Sequence, residues 1–283
     1  MRIPMASQIC CLLVGSSMLL ALLSALCMVA EEDEQTSRNG GWKKGGSLVT
    51  LGPCTITRVN AANLSLENFA KNFVDAGPVL IEGIDNNQEF RRECTRDNLI
   101  TAYGHRRIKL TTATSTSLVR APVSLKYYIE NMMQAQSVQT PANESLYHFG
   151  DTDREEWKSV FDLYNFPAYQ VPGMEPMISF GLAGPGTGVP MHFHGPTFAQ
   201  VMYGRKRWFF YPPSQDFRVG YHSDLSMLQW YLEEYPLLDD VTRPLECTLE
   251  PNQLLYFPDR WWHSTINIDE SVFVSTFLSP SPS

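Results

Sequence analysis

From Met177 to Leu278 the sequence is a succession of short apolar runs broken by Gly, Pro and Asn. Runs of this length between turn formers read as strands, and eight are expected, at 177–183, 189–194, 197–203, 206–211, 245–250, 253–257, 262–268 and 271–278. One helix is expected among them at about 224–234, capped by Ser223. Strands at that density imply a closed or sandwiched antiparallel barrel of the jelly-roll type, so the predicted class is mainly β with N-terminal helices. An immunoglobulin-like sandwich would call for a paired cysteine framework that is absent.

The 283 residues are 43% hydrophobic and 18% charged, enough apolar surface to bury a sizeable core. With 22 Lys and Arg against 30 Asp and Glu the net charge is −8, which removes the electrostatic basis for general nucleic-acid binding.

Upstream of the strands the reading is helical. A helix is expected from Ser65 to about Ala76, stopped by Gly77-Pro78, with a short buried strand at 79–81. Asp97 is expected to cap a helix ending at Gly104, another helix spans about 123–133, and Asp153 with Glu156 forms a capping pair before Trp157 and Phe161. Residues 31–47 read as a flexible linker, 48–279 as a single domain with its barrel core at about 177–278, and 280–283 as a disordered tail.

Residues 1–30, with Arg2 followed by an apolar stretch and then an acidic run, read as a secretory signal peptide, the alternative being an uncleaved anchor. The expected location is the secretory pathway, with the endoplasmic reticulum lumen preferred and no membrane attachment after cleavage. Cys54, Cys94 and Cys247 then remain. Three allow at most one internal bridge, leaving a thiol for a partner chain or for nothing. The sequons at Asn63 and Asn143 fit a glycosylating compartment. No KDEL-type tail is present, so retention there would need a partner or another signal.

The chemistry concentrates in His192-Phe193-His194, Lys206 and His263. Residues i and i+2 of a strand face one side, so both imidazoles of the His-Phe-His segment are expected to point together. Imidazoles suit Fe, Zn, Cu and Ni, and a third ligand from a distant strand would complete a facial triad. The pair alone would also fit ordinary barrel-lining histidines.

The surrounding blocks are Gly184-Pro185-Gly186-Thr187-Gly188-Val189-Pro190-Met191-His192, Phe198-Ala199-Gln200, Gly204-Arg205-Lys206-Arg207-Trp208, Tyr211-Pro212-Pro213 and Phe257-Pro258-Asp259-Arg260-Trp261-Trp262-His263. Their order and spacing resemble the JmjC family of cupin-fold oxygenases, and the fold that this resemblance implies is a double-stranded β-helix with N-terminal helical additions. That resemblance implies Fe(II) held by His-x-Asp/Glu and a distal His, and 2-oxoglutarate held by a barrel Lys. By resemblance His192 and His263 take the two His positions and Lys206 the carboxylate-binding one, with Ser275 as a further donor. His194 stands where the family carries Asp or Glu, Val189 replaces a common Thr, and Ala199 falls where some relatives carry Asn.

Three neutral imidazoles leave a divalent ion at +2, whereas two imidazoles and a carboxylate leave +1. The altered set suits Zn at least as well as Fe(II), unless Asp259 or Glu175 supplies the missing anion. Arg205 and Arg207 are expected to be solvated neighbours of an inward Lys206. His105, His148 and His222 read as surface or cap residues, and Trp261 and Trp262 as core and cavity wall. Two functions are expected from this pattern. One is a non-catalytic or weakly catalytic regulatory module that acts through a protein partner, with a homo-oligomer as one form. The other is an Fe(II)- and 2-oxoglutarate-dependent hydroxylase with a protein substrate.

Overall fold

The computed structural model describes residues 39–114, 118–150, 155–215 and 225–281. Its strands form two sheets. The larger has nine strands in the order β1 (Thr57–Asn60), β2 (Val79–Glu82), β11 (Gln253–Phe257), β8 (Thr197–Tyr203), β13 (Ser271–Pro280), β6 (Met174–Ala183), β5 (Leu146–Phe149), β3 (Arg107–Thr112) and β4 (Val119–Ser124). The smaller has four, in the order β10 (Leu245–Leu249), β9 (Lys206–Tyr211), β12 (Trp262–Asn267) and β7 (Gly188–His192). Apart from the parallel pair β1 and β2 the ladders are antiparallel, as the double-stranded β-helix requires. Gly204, at φ +80°, carries the chain from β8 in the large sheet to β9 in the small one, and a Cβ there would lie 2.4 Å from the Glu270 carbonyl oxygen.

The strands at 197–203, 206–211 and 253–257 stand where the alternation of apolar runs and turn formers puts them. Others shift. β7 stops at His192, so His194 lies beyond the strand, while β6 begins at Met174 and β13 runs on to Pro280. The 280–283 segment is therefore not wholly a tail, because Ser281 N donates to Gly173 O. The expected helix at 224–234 is a short turn Met227–Gln229 followed by a π-turn Trp230–Glu234. Its cap is Ser226, in a reciprocal pair with Gln229, and Ser223 lies outside the described residues.

In the N-terminal part Ser65 caps the helix Leu66–Phe73 through the Asn68 amide. Thr95, not Asp97, takes the N-cap position of Arg96–Tyr103, and Asp97 sits within the first turn, where its charge complements the helix dipole. The segment at 123–133 is a helical turn Leu125–Tyr127, capped by Ser124, running into a π-turn Tyr128–Met132. Asp153 lies outside the described residues, and the helix there is Lys158–Phe161.

The glycine-rich stretch read as a linker is docked onto the barrel over residues 39–47. Trp42 is 3% exposed and donates its indole N–H to Cys94 O at 2.9 Å. Lys43 N reaches Glu270 Oε2 and Gly45 N reaches Asp269 Oδ1, each at 2.9 Å. A Cβ on Gly45 would meet the Ile268 carbonyl oxygen at 1.8 Å, so the stretch is glycine-rich where the backbone passes close to the barrel. The signal-peptide segment lies outside the described residues.

Cys54 and Cys247 form a disulfide that closes 193 residues and ties the incoming chain to β10. Cys94 is the free thiol, but it is wholly buried and burial pushes its pKa up, so it offers no handle to a partner chain. Asn63 and Asn143 are both exposed. No helix among the described residues is long and apolar enough to cross a membrane.

Candidate metal centre

The β12–β7 register sets His263 directly opposite His192. His194, two residues past the end of β7, is held by its own backbone, its carbonyl accepting from Arg260 N at 3.0 Å. The three rings thus meet, with centres 4.2 Å apart for His192 and His263 and 4.5 Å for His194 and His263.

Each ring is anchored the same way. Nδ1 faces a backbone carbonyl, Pro190 O at 2.8 Å for His192, Gly195 O at 2.9 Å for His194 and Trp261 O at 2.9 Å for His263. A carbonyl oxygen can only accept, so each Nδ1 carries the hydrogen and each Nε2 presents its lone pair. Burial is the main reason all three stay neutral. It pulls His192 down to about 4, lowers His194 and lowers His263 well below the ordinary imidazole value.

The donor set fits a metal ion. His194 Nε2 and His263 Nε2 are 3.1 Å apart, and nitrogens about 2.1 Å from one ion subtend about 95° at that separation. The ligand atoms of all three lie within 4.8 Å of one another, so the set needs only a slight inward turn, since a shared ion spans about 4.2 Å. No other His, Cys, Asp and Glu grouping of this kind occurs among the described residues.

The expected carboxylate substitutes do not reach the site. Asp259 is exposed and pairs with Arg260 at 3.3 Å, Glu175 is exposed, and no Asp or Glu lines the cavity. That cavity, about 140 Å³, lies between the two sheets and opens beside the histidines. Lys206, at the head of β9, projects into it, 4% exposed, with Nζ 3.6 Å above the Phe273 ring centre. Among the described residues it has no carboxylate partner, and burial lowers its pKa to about 7. Ser275 on β13 and Val189 on β7 face the same space, whereas Ala199, paired with Ser275 across the sheet, does not line it.

Several neighbours differ from their sequence reading. Arg207 is not solvated. It is 2% exposed and bonds Glu246 through Nε at 2.9 Å and through Nη2, with further donations to Tyr231 and Tyr235. Arg205 is partly buried against Asp269 at 2.6 Å. His148 is a buried strand residue bonded to Lys109 O, with its pKa lowered by burial, while His105 is exposed and His222 lies outside the described residues. Trp261 and Trp262 are half-buried and pack against the core as read, but neither lines the cavity, and Trp262 meets exposed Phe193 edge-on at 4.5 Å. The wall is supplied instead by Tyr147, Phe149, Trp208, Phe257 and Phe277. Counting outward in steps of two from Lys206 and Ser275 finds Trp208 and Phe277, but the pattern does not mark Tyr147 and Phe149, whose strand is too short to show alternation.

Comparison with known proteins bears on what such a site belongs to. Residues 66–283 match the cupin-like domain family. The chain is also 41% identical over 247 residues to JmjC domain-containing protein 8 of Mus musculus, covering 86% of this chain and 90% of that protein. The chain belongs to the cupin-like JmjC family. More distant JmjC relatives include the Arabidopsis thaliana lysine-specific demethylase JMJ21, 29% identical over 75% of this chain and 24% of its own length. Another is the Caenorhabditis elegans bifunctional arginine demethylase and lysyl-hydroxylase psr-1, 24% identical over 78% of this chain and 60% of its own. Against the JmjC pattern of His-x-Asp/Glu with a distal His, the departure here is His194.

Proposed function

We propose that this chain is a lumenal JmjC-fold protein that binds a divalent metal ion through His192, His194 and His263 and a small carboxylate of the 2-oxoglutarate class through Lys206. It acts through a protein partner, with slow turnover or none. The observation that carries this reading is the arrangement of three Nε2 lone pairs around one end of a cavity that also contains Lys206, which has no carboxylate partner among the described residues. An ammonium in an apolar cavity is costly without an anion, so a carboxylate is the natural complement. The charge favours binding, because a divalent ion on three neutral imidazoles keeps +2 and holds an acid more tightly than a site already carrying a carboxylate. Weak turnover follows from the donor set, which suits redox-inert Zn at least as well as Fe(II). The exposed sequons Asn63 and Asn143 and the Cys54–Cys247 bridge support the lumenal side of the reading.

The second reading is a protein hydroxylase of the secretory pathway. Retention of Lys206 in the cavity favours it, as do relatives named as demethylases and a lysyl-hydroxylase. Fe(II) with 2-oxoglutarate, when bound, would supply electrons for activating dioxygen, the oxidant, with succinate and carbon dioxide released. The residues of this chain would orient the acid from Lys206 and keep the three imidazoles deprotonated. Metal analysis of protein from a secretory host, with 2-oxoglutarate binding and turnover on the same sample, separates the readings. Stoichiometric metal and bound acid with little or no succinate release support the first, sustained succinate release coupled to hydroxylation of a protein supports the second, and absence of both metal and acid refutes each. A glycosidase-sensitive mass on the same sample tests the compartment.

A further inference from the structure

Trp208 stands two residues beyond Lys206 on β9, so the two side chains share a face of the strand, and both line the cavity. Lys206 Nζ is 5.9 Å from the centre of the Trp208 ring. The ring is locked by hydrocarbon. It stacks on Phe210 at 7° with centres 5.9 Å apart and packs beside Phe257 at 5.6 Å.

Trp208 is 5% exposed, and its Nε1–H is buried without a hydrogen-bond partner among the described residues. Buried donors are nearly always satisfied, and an indole N–H can only donate, so its complement is an acceptor. Lys206, when charged, is likewise a donor with no carboxylate acceptor among the described residues. Two donors on one strand face, in a cavity that no Asp or Glu lines, complement a group with two oxygens and no hydrogens. We propose that the Trp208 indole N–H is a second donor to the carboxylate held by Lys206, and so a specificity-determining contact of the ligand site. This rests on the reading that the cavity takes a small carboxylate. A neutral donor beside the lysine keeps one bond to the acid at every pH at which the protein is folded.

The test is titration of 2-oxoglutarate into the full chain from a secretory host, followed by calorimetry and tryptophan emission, for wild type and Trp208→Phe. The expected result is a 10- to 100-fold weaker Kd for the variant, in a protein that still unfolds cooperatively without ligand at a somewhat lower temperature, and loss of the emission change that binding produces in wild type. Because Phe also shortens the ring, the indole is replaced in a second protein by the isosteric benzothiophene, which keeps the shape and lacks the N–H; it should weaken binding to the same extent. Binding within threefold of wild type by the benzothiophene protein overturns the proposal and leaves the N–H to water. If wild type itself takes up no 2-oxoglutarate, the carboxylate reading of the cavity fails, and this inference with it. If wild type binds and both variants bind equally well, only the role of Trp208 fails.

Discussion

His263 Nε2 lies 3.1 Å from His194 Nε2, and both nitrogens present lone pairs because each Nδ1–H is committed to a backbone carbonyl. Two lone pairs facing each other repel unless a cation lies between them, and burial keeps the rings from taking up a proton at neutral pH. The arrangement is therefore stored at a cost that a metal ion relieves.

Adding Zn or Fe(II) to metal-stripped protein should raise the melting temperature. At a free metal concentration about 100 times Kd the gain is about 2.7 kcal/mol, or roughly 5–10 °C for a domain of this size. His263→Ala should abolish the shift, and scanning fluorimetry with and without chelator measures it. An equal shift in wild type and variant would place the metal elsewhere.

The same metal-free protein should lose stability in acid over a defined window. The unfolded imidazole of His192 takes a proton near 6.5 and the folded one only near 4, so between those values the unfolded chain binds more protons. Stability is full above about 6.5 and declines as pH falls toward 4. Urea unfolding at pH 7.5, 6 and 5 should follow that order, and His192→Asn should flatten the decline. A profile level down to pH 5 would contradict the neutral anchored rings.

His194→Asp replaces a neutral ligand with an anionic one and takes the charge of a divalent site from +2 to +1. Fe(II) should then gain on Zn, and 2-oxoglutarate turnover should rise by roughly tenfold. Metal competition and succinate release, measured for both proteins, check this. A fall in turnover would mean that a three-histidine iron site already works in the wild type.

The barrel was legible because its strands are bounded by turn formers within a few residues: Gly204 ends one run, Pro212 another, and Asn252 and Pro258 bracket a third. The histidines were legible for the same local reason, the i, i+2 spacing and the distal His after Trp261-Trp262. What sequence could not disclose depends on distant partners. Arg207 reads as a solvated charge between Lys206 and Trp208, and only the fold brings it Glu246, 39 residues away. Residues 39–47 read as a linker because their composition is flexible, yet their bonds go to Asp269 and Glu270, more than 220 residues on. β3 and β5 escape notice because few residues of each are needed to complete a ladder that distant strands begin.

That Arg207–Glu246 pair, with both side chains at most 2% exposed, anchors β9 to β10, to Thr50 O of the incoming chain and to Tyr231 and Tyr235. Removing one partner leaves a buried charge unpaired, so Arg207→Met should destabilise by about 3–5 kcal/mol. Pairing it with Glu246→Leu should recover much of the loss, because the remaining charge is gone. Urea denaturation of the single and double variants checks both, and additive losses would show that the two side chains are not coupled.

Lys206 gives the complementary case of a buried charge with no carboxylate partner among the described residues. Unfolded, its ammonium persists to near pH 10.5; folded, burial lowers the pKa to about 7. Between those values the unfolded chain holds more protons, so the ligand-free protein gains stability as pH rises from about 7 toward 10.5, and below 7 it bears the full penalty, up to about 5 kcal/mol. Lys206→Met keeps the stem and removes the charge. The variant should therefore be more stable than wild type by a few kcal/mol at pH 6.5, and the difference should shrink by pH 9.5. Comparing the two proteins cancels the other groups that titrate in this range, and urea midpoints at both pH values are sufficient. Saturating 2-oxoglutarate should reverse the order at pH 6.5, because the acid pairs the ammonium in wild type and finds no cation in the variant. If wild type and variant differ equally at both pH values, Lys206 has a hidden counter-charge and is not the group awaiting the acid.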